Sequence, residues 1–390
     1  MIVFAELQMQ GEKHVNVNCG LLEILSKSFP LLPIKIVCDE IQKKEIENKI
    51  TSLSNIEFET FNYTGDKELK KIFIINKILR EVKLAYSIFR SANKNNVDKI
   101  LFASAFPFTA VFLNIFAKIF KKNIIVCLHG DIGVLTLKDN KFSIKIFRYI
   151  ITWFLKNRNS NVGLLIYGES IKNKLFSLYP DYNQKNIIAI DHPYVYNAEK
   201  DISVIKRPVV ISCIGTGLIN KNSHFIYDLA FLCKDEVEAG KIEFHQIGNV
   251  NAKVLNYSND YVKYLQSDGF MSMDVFEKAI SESNYFIYFF TENSYYDLCP
   301  SGTFFDAIKY QTPIIALHNP FFDYYFEKLG NIGYLCDSLD EMVEIVKNIS
   351  SLNNKSQFEE QVTNLVKAKA TLSVDNSIVC FTDQYNKLFQ

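Results

Sequence analysis

The chain has 390 residues, which is longer than one typical hydrophobic core and indicates two domains. Apolar residues make up 48% of it and the formal net charge is zero, so we expect a globular protein without the positive field that nucleic-acid binding favours. We expect neither a signal peptide nor a membrane-spanning helix, and the eight cysteines, which form no CxxC pair, are expected to be free thiols in a cytoplasmic protein.

Strand-like apolar runs alternate with amphipathic helical stretches through the first half of the chain. The predicted strands cover residues 2–7, 34–39, 56–61, 99–105, 123–130, 163–168 and 186–193. The predicted helices cover residues 16–28, 66–93, 107–121 and 141–157, and a further helix begins at Ser170. The polar, weakly periodic segment 195–207 follows, so the first domain is predicted at residues 1–195.

The same alternation resumes after this segment and predicts a second domain at residues 208–372. Its predicted strands cover residues 208–215, 242–248, 261–265, 285–290, 312–317 and 332–336. Residues 373–390 are predicted to form a C-terminal helix that packs back on the first domain. The pattern indicates an α/β protein with two parallel sheets. Because such sheets bind ligands beyond the carboxyl ends of their strands, the expected site is a cleft between the domains.

Two segments of the second domain are candidate anion-binding sites. Gly215, Thr216 and Gly217 follow its first strand, and Lys221 precedes the next helix. Glycines let a backbone approach a phosphate that a lysine can neutralise, although the segment could also be an ordinary turn. A later helix opens with Ser301, Gly302 and Thr303. Its N-terminal amides would favour an anion, unless one of these side chains caps the helix. The two segments together favour a diphosphate.

Acidic side chains of the second domain are candidates for binding hydroxyl groups. Asp306 lies inside the helix just described and could accept hydrogen bonds from the vicinal hydroxyls of a ribose, or simply face solvent. Glu292 and Asp297 flank a loop after a predicted strand. Acids in such a loop suit a polyol, and they could equally be surface bystanders.

Histidines of the first domain are candidates for the acceptor side of the cleft. His129 ends an apolar strand, and Gly11 and His14 lie in the loop after the first strand. His129 could also be an ordinary core histidine. His192 is interpreted as part of a structural hinge, and no histidines are paired at metal-ligand spacing, so no metal site is expected.

Two stretches, residues 112–123 and 141–158, combine large apolar residues with Lys and Arg. They could pack on the first sheet, or they could form a surface that rests on anionic lipid.

Over nearly its whole length the chain resembles bacterial glycosyltransferases of the GT-B fold, with a pattern similar to the retaining family-four enzymes (glycosyl transferases group 1). The resemblance rests on HG at 129–130, HP at 192–193, IGTGLINK at 214–221, HQIGN at 245–249, the segment 267–290 and SGTFFDAIKYQTPIIA at 301–316. It implies two Rossmann-like domains facing across a cleft, with an acceptor-binding domain first and a nucleotide-sugar-binding domain second.

The resemblance also implies roles for individual residues. Lys221 corresponds to a basic ligand of the diphosphate, Asp306 to the acid that holds the nucleotide ribose, and His129 to a histidine near the transferred sugar. The amides that face the diphosphate would belong to Ser301, Gly302 and Thr303. The remaining donor-binding positions would be Gly215, Thr216, Gly217, Gly248, Phe270 and Met271.

Three positions depart from the family pattern. Thr216 stands where the family usually has an arginine, Leu298 where the first acid of its paired-acid motif belongs, and Thr312 where it has a glycine. Glu292 and Asp297 are the neighbouring acids that could replace the missing one, and with His129 they form the expected catalytic set.

The predicted activity is transfer of a hexose from a nucleotide diphosphate sugar to a hydroxyl group, without a metal ion or a cofactor other than the donor substrate. The acceptor is expected to be a saccharide or a lipid-linked saccharide of bacterial surface polysaccharide or glycolipid synthesis, reached at the inner face of the cell membrane. Retention is favoured over inversion; an inverting enzyme would need a base such as His129, Glu6 or Asp131. The alternatives are a sugar-nucleotide epimerase or hydrolase on the same fold, and a non-catalytic nucleotide-sugar-binding protein.

Overall fold

The computed structural model describes residues 1–50, 55–61, 70–137, 139–196, 205, 207–265, 271, 273–292 and 294–389. Contacts divide the chain into two compact units. Unit 1 comprises Met1–Val195, Leu298–Pro300 and Leu372–Gln390. Unit 2 comprises Tyr196–Asp297 and Ser301–Thr371. Residues 66–69 of the predicted long helix, most of the predicted boundary segment, and Gly269 and Phe270 lie outside the described residues.

The described part of unit 1 contains a sheet of seven parallel strands. They are β1 (Ile2–Glu6), β2 (Ile34–Asp39), β3 (Ile56–Phe61), β4 (Lys99–Ser104), β5 (Ile124–Cys127), β6 (Val162–Tyr167) and β7 (Ile187–Ile190). Their order is β3-β2-β1-β4-β5-β6-β7, so the direction of winding reverses between β1 and β4. The carboxyl ends of two such strands form the usual ligand-binding position of an open parallel sheet.

Helices cover both faces of this sheet, which is why its central strands are continuous apolar runs. They are α1 (Val15–Ser28), α2 (Glu40–Lys49), α3 (Lys70–Lys94), α4 (Pro107–Ile119), α5 (Phe142–Lys156) and α6 (Glu169–Leu178). One core cluster includes Phe89, Phe102 and Phe154. A second, on the other face, includes Phe4, Leu21 and Tyr167.

The described part of unit 2 contains six parallel strands with the same kind of reversal, between β8 and β11. The strands are β8 (Val209–Ile214), β9 (Ile242–Ile247), β10 (Val262–Leu265), β11 (Tyr285–Tyr288), β12 (Ile314–Leu317) and β13 (Gly333–Cys336), in the order β10-β9-β8-β11-β12-β13. The helices are α7 (Phe225–Leu232), α8 (Lys234–Glu238), α9 (Ala252–Leu255), α10 (Met273–Ser281), α11 (Gly302–Lys309), α12 (Pro320–Leu329), α13 (Leu339–Ser350) and α14 (Lys355–Thr371).

The last helix, α15 (Val374–Asn386), belongs to unit 1 and packs against α1 and β7. Strand β7 is the edge of its sheet. The Gln384 side chain bonds both backbone groups of Ala189 in that strand: its Oε1 accepts from the amide at 2.8 Å, and its Nε2 donates to the carbonyl at 2.9 Å. A side-chain amide thus occupies backbone groups that would otherwise be open to another strand.

The predicted α/β class with two parallel sheets is confirmed. The eight cysteines all lie in the described part of the chain and are free, as expected. No helix among the described residues is long and apolar enough to cross a membrane.

Candidate functional site

A fully buried carboxylate ends β1 in unit 1. The Oε1 atom of Glu6 accepts hydrogen bonds from the amides of Gln8 and Met9, both at 3.1 Å, and from the Ser104 hydroxyl at the end of β4. Its Oε2 atom accepts from Asn18 Nδ2 at 3.2 Å. Burial would raise the pKa of Glu6, but His14, Ser104 and the amide of Met9 outweigh it and lower the pKa. The switch point of the first sheet, where the winding reverses between β1 and β4, therefore holds an ionised side chain.

Two histidines lie beside this carboxylate. His14 is the N-cap residue of α1, and its Nδ1 is 3.7 Å from Glu6 Oε2. His129 follows β5, and the two imidazole rings stack with centroids 4.1 Å apart and an interplanar angle of 22°. Both residues have left-handed backbones, with φ values of 63° and 41°. This conformation is uncommon for residues other than glycine and is concentrated at functional sites.

His192 and Tyr167 complete an aromatic cluster around His129. The centroids of the His129 and His192 rings are 5.4 Å apart, and the two rings are nearly perpendicular. The centroid of the Tyr167 ring lies 5.2 Å from that of His129. Burial lowers the pKa of His129 well below its usual value and that of His192 to about 3, so both rings are neutral. The sequence interpretation treated His192 as a hinge marker and missed this packing, which brings together strands distant in sequence.

Gly11, predicted on the acceptor side, shapes the turn that leads to His14. Its φ is 61°, and its amide donates to Asp39 Oδ2 at 3.1 Å. The same Asp39 caps α2 through the amides of Ile41 and Gln42. The Gly11 amide is therefore hydrogen-bonded within the protein, and Gly11 contributes to the backbone conformation of the loop.

In unit 2 the glycine turn after β8 contacts the first turn of α11. Gly215 has a φ of 88°, and a Cβ atom added there would lie 2.8 Å from Thr303 Cγ2. Gly248, after β9, has a φ of 112°, and its Cβ would lie 2.6 Å from the Gly215 carbonyl oxygen. Neither position accepts a side chain without movement of its neighbours. Three of the residues predicted to bind the donor are thus packed together: Gly215, Gly248 and Thr303.

The N-terminus of α11 has no side-chain cap. Ser301 occupies the N-cap position, but its hydroxyl bonds the Thr303 hydroxyl at 3.1 Å instead of a backbone amide. Nothing lies within 4 Å of the position of a Cβ atom on Gly302, which is exposed. The Tyr288 hydroxyl at the end of β11 donates to the Thr303 carbonyl at 2.7 Å and fixes this turn to the sheet. The alternative in which this helix caps itself through a side chain does not occur, since no side chain among the described residues bonds its N-terminal amides.

Lys221 ends a short 3-10 helix, Ile219–Lys221, after the glycine turn. Its Nζ lies 5.4 Å from the centre of the Tyr296 ring, which stacks on Phe290 at 4.1 Å. Asn222 follows in the left-handed conformation, and its Nδ2 donates to the Phe289 carbonyl at 3.0 Å. The position of Lys221 is therefore fixed between the glycine turn and the loop that follows β11.

The other predicted acids of unit 2 lie in different surroundings. Asp306 is partly buried in α11, where its charge adds to burial in raising the pKa of Tyr288. Asp297 is buried and accepts from the Ser294 amide at 3.4 Å, whereas Glu292 is exposed. Met271 is buried, and the predicted Phe270 lies outside the described residues. Among the described residues, no group of three or more His, Cys, Asp or Glu could hold a metal ion.

No family model and no curated protein matches the sequence. Solved structures do match. Anabaena Alr3699/HepE in complex with UDP and glucose has a TM-score of 0.66 and 13% identity over 99% of each chain. WaaG, a glycosyltransferase involved in lipopolysaccharide biosynthesis, has a TM-score of 0.63 and 10% identity over 98% of this chain and 99% of its own.

Arabidopsis thaliana UGT89C1 complexed with UDP-L-rhamnose has a TM-score of 0.55 and 10% identity, over 99% of this chain and 98% of its own. At such low identity these similarities concern the fold. Together with the two parallel sheets and their strand orders, they show that the chain has the GT-B fold.

Proposed function

We propose that the chain transfers a sugar from a nucleotide diphosphate sugar to a hydroxyl acceptor. The observation that carries this proposal is the contact between the Gly215 turn and the uncapped N-terminus of α11. Backbone amides at a helix N-terminus favour an anion, and glycines let a phosphate approach closely. Negative charge grows on the diphosphate as the bond to the sugar breaks, so donors fixed in this way would stabilise the transition state.

Lys221 supplies the cation of this arrangement. It lies six residues after Gly215, beyond the glycine turn, and Tyr296 lies beside its Nζ. A lysine and helix amides together can neutralise a diphosphate, so we propose a transfer without a metal ion or a further cofactor. Asp306, four residues after Gly302 on α11, is the proposed partner of the nucleotide ribose.

The proposed donor is a UDP-hexose and the proposed acceptor a saccharide or lipid-linked saccharide. The similar HepE structures hold UDP and UDP-glucose, and WaaG acts in lipopolysaccharide biosynthesis, which makes surface polysaccharide or glycolipid the first acceptors to test. The resemblance to family-four enzymes implies retention of anomeric configuration.

A thermal-shift panel of UDP-, GDP-, ADP- and CMP-sugars tests the proposed function. A ligand that binds only the folded protein stabilises it by about 2.7 kcal/mol at a concentration of about 100 Kd, so the correct donor should stand out. Release of nucleotide diphosphate on addition of saccharide or glycolipid acceptors then separates a transferase from a binding protein. No shift with any nucleotide sugar, and no release, would overturn the proposal.

We further propose that unit 1 contacts an anionic membrane through one face of α4 and α5, which pack against each other. The inner faces of both helices belong to the core, through Leu113 and Phe154. The outer faces expose large apolar side chains at helical spacing: Phe112, Ile115, Ile119, Phe142, Tyr149 and Trp153. Exposed lysines lie among them: Lys118, Lys145 and Lys156. Such a surface suits the interface of an anionic bilayer.

A further inference from the structure

A polar recess opens at the edge of the unit 1 sheet opposite the candidate site. The candidate site of unit 1 lies where β1, β4 and β5 end, whereas the recess lies where β5, β6 and β7 begin. Its volume of about 530 Å³ falls within the range of about 300–1,000 Å³ that small-molecule sites occupy. We call it the asparagine recess, because its lining, all from unit 1, includes Asn123, Asn161, Asn183, Asn186, Lys185 and Phe389.

Three of these asparagines stand in a row along the sheet edge. Asn123, Asn161 and Asn186 each directly precede a strand, and those strands, β5, β6 and β7, are neighbours. Neighbouring strands lie about 4.8 Å apart, so the row spans roughly 10 Å. The Nδ2 atom of Asn161 donates to Oδ1 of Asn123 at 3.0 Å. Within the described part of the chain the other amide atom of each takes no partner, so the pair offers one donor and one acceptor, which match a hydroxyl group.

The charges around the asparagine recess are positive. Lys185 is exposed at the recess, and Arg158 lies behind its wall with only 4% exposure. The Nη2 atom of Arg158 donates to the carbonyl oxygens of Lys185 and Asn183, the latter at 3.1 Å. Its Nε and Nη1 atoms are buried without a hydrogen-bond partner among the described residues.

No carboxylate balances the charge of Arg158 in the described part of the chain. Burial lowers the pKa of Arg158 to about 10, and no acidic group opposes this effect, so the guanidinium is still charged at neutral pH. Among the described residues that line the asparagine recess, none is acidic. An anion held there would therefore meet a buried and an exposed positive charge and no negative one.

Phe389 supplies the apolar part of the asparagine recess. Its backbone is left-handed, with a φ of 63°, and its amide donates to Asn186 Oδ1 at 3.2 Å. A Cβ atom added to Gly163 in β6 would lie 3.4 Å from Phe389 Cζ, so the ring lies directly against this strand. Phe389 is only partly buried, and the negative face of an aromatic ring attracts the C–H groups on one side of a sugar ring.

We propose that the asparagine recess binds an acidic saccharide. The asparagine amides bond its hydroxyl groups, the Phe389 ring packs on one face of a sugar ring, and Lys185 and Arg158 attract its carboxylate. An inorganic anion would make no use of Phe389, and a neutral sugar would leave the positive charges unbalanced. The recess lies at the opposite sheet edge from the candidate site, so a saccharide held there is bound and not converted, and the inference does not depend on the proposed transfer.

Calorimetric titration of the full chain with trigalacturonate, an acidic trisaccharide, tests the inference. Galactotriose, which lacks the carboxylates, is the matched neutral ligand, and we expect it to bind about tenfold or more weakly because the charged contacts are lost. Added salt should weaken the binding of trigalacturonate. Equal affinities of the two trisaccharides would overturn the inference, and so would complete displacement of trigalacturonate by an equal concentration of inorganic phosphate, which would indicate a general anion site.

Lys185→Glu determines where the saccharide binds. The side chain is exposed, so we expect the variant to fold, and the reversed charge should weaken trigalacturonate binding by about tenfold or more. Lys44→Glu changes an exposed lysine on α2, which packs against β2 and β3, and this matched control should bind as wild type does. Wild-type affinity of Lys185→Glu would place the saccharide elsewhere and overturn the inference.

Asn161→Ala and Phe389→Leu test the contacts that distinguish a saccharide from a simple anion. Each should weaken trigalacturonate binding by about threefold or more, because each removes one uncharged contact. If both variants bind trigalacturonate as wild type does, charge alone accounts for binding and the inference is wrong. The thermal shift of Lys185→Glu with the nucleotide sugar chosen from the panel should equal that of wild type, so a failure at this recess is distinguishable from a failure of the proposed function.

Discussion

Burial determines the charge of two side chains in unit 1, Asp131 after β5 and His192 after β7. It raises the pKa of Asp131 to about 7, against the opposing effects of Gln8, Lys77 and His14. It lowers the pKa of His192 to about 3. Near neutral pH, His192 is therefore uncharged and Asp131 is divided between its two protonation states, so the stability of unit 1 is tied to pH.

We predict that Asp131→Asn makes the free energy of unfolding less dependent on pH between about 4 and about 7. The folded protein holds a proton on Asp131 up to about pH 7, whereas the unfolded chain releases it near pH ~3.9. The wild type therefore loses stability as pH rises through this window, and asparagine removes that loss. Urea unfolding at about pH 5 and about pH 8 measures the effect. An equal difference between variant and wild type at both pH values would contradict the prediction.

Lys221→Ala should weaken donor binding by about tenfold or more, because a charged hydrogen bond to phosphate contributes about 1.5–3 kcal/mol. Titration calorimetry with the nucleotide sugar chosen from the panel measures the change, and circular dichroism checks the fold. Lys234→Ala, an exposed lysine at the start of α8, is the matched control and should bind as wild type does. Equal affinities of the two variants would mean that Lys221 has only a structural role.

At the scale of elements, apolar runs predicted the strands well and the loops after them poorly. The predicted strand 123–130 ends at Cys127, because His129 has a left-handed backbone that an extended chain cannot adopt. The predicted strand 285–290 ends at Tyr288. Helix α2 was not predicted, since it is mostly polar and buries only Gln42 and Ile46. Local apolar patterns thus predict the buried strands, but they do not predict the loops that form the candidate site.

The site itself depends on contacts that local sequence does not encode. Glu6 bonds Ser104, 98 residues away, and the His129 ring meets His14 and His192 from two other parts of the chain. Sequence indicated His14, His129 and the glycine turn through their positions after strands. The hydrogen bond between Ser104 and Glu6 required the β1–β4 adjacency of the sheet. From the sequence, this contact could have been suggested only by predicting the order of the parallel strands, with its reversal at β1.

The contact between the β8 turn and α11 yields a prediction at this scale. Gly215→Ala should lower both the unfolding temperature and donor affinity, because the new Cβ meets Thr303 Cγ2 and the φ of 88° disfavours alanine. Strain of this kind costs on the order of 1–3 kcal/mol. The double variant Gly215→Ala, Thr303→Ser lacks the clashing methyl group and should recover part of the loss. Thermal melts with and without donor measure both effects. A Gly215→Ala protein with wild-type melting and affinity would contradict the prediction.

At the scale of the whole molecule, each unit has its own core and its own switch point, and the chain does not pass through them strictly in order. Leu298–Pro300 and residues 372–390 belong to unit 1 although unit 2 surrounds the first of these segments in sequence. Leu298, the apolar residue in place of the family's first acid, is fully buried in a core cluster of unit 1. Its side chain therefore has a packing role that an acid could not fill without a partner.

The proposed membrane surface predicts salt-sensitive attachment. The full chain should pellet with vesicles containing anionic lipid at low salt, and less as salt rises, because each exposed lysine near the surface contributes about 1 kcal/mol. Lys122 cannot serve as a test, since it is buried and pairs with Asp98 at 3.2 Å. Lys118→Glu with Lys145→Glu should abolish pelleting, and the same two changes at Lys234 and Lys253 of unit 2 should not. No pelleting of the wild type at low salt would refute the surface.

The bond between Gln384 and the edge strand β7 has a consequence for how the protein is made. A ribosome completes β7 long before it reaches α15, and all of unit 2 is synthesised between them. During that interval the Ala189 backbone groups and the apolar surface that Phe381 later covers have no partner from α15. Unit 1 therefore reaches its final form only after translation has passed residue 384, and a nascent chain stalled earlier would present an open strand edge to its neighbours.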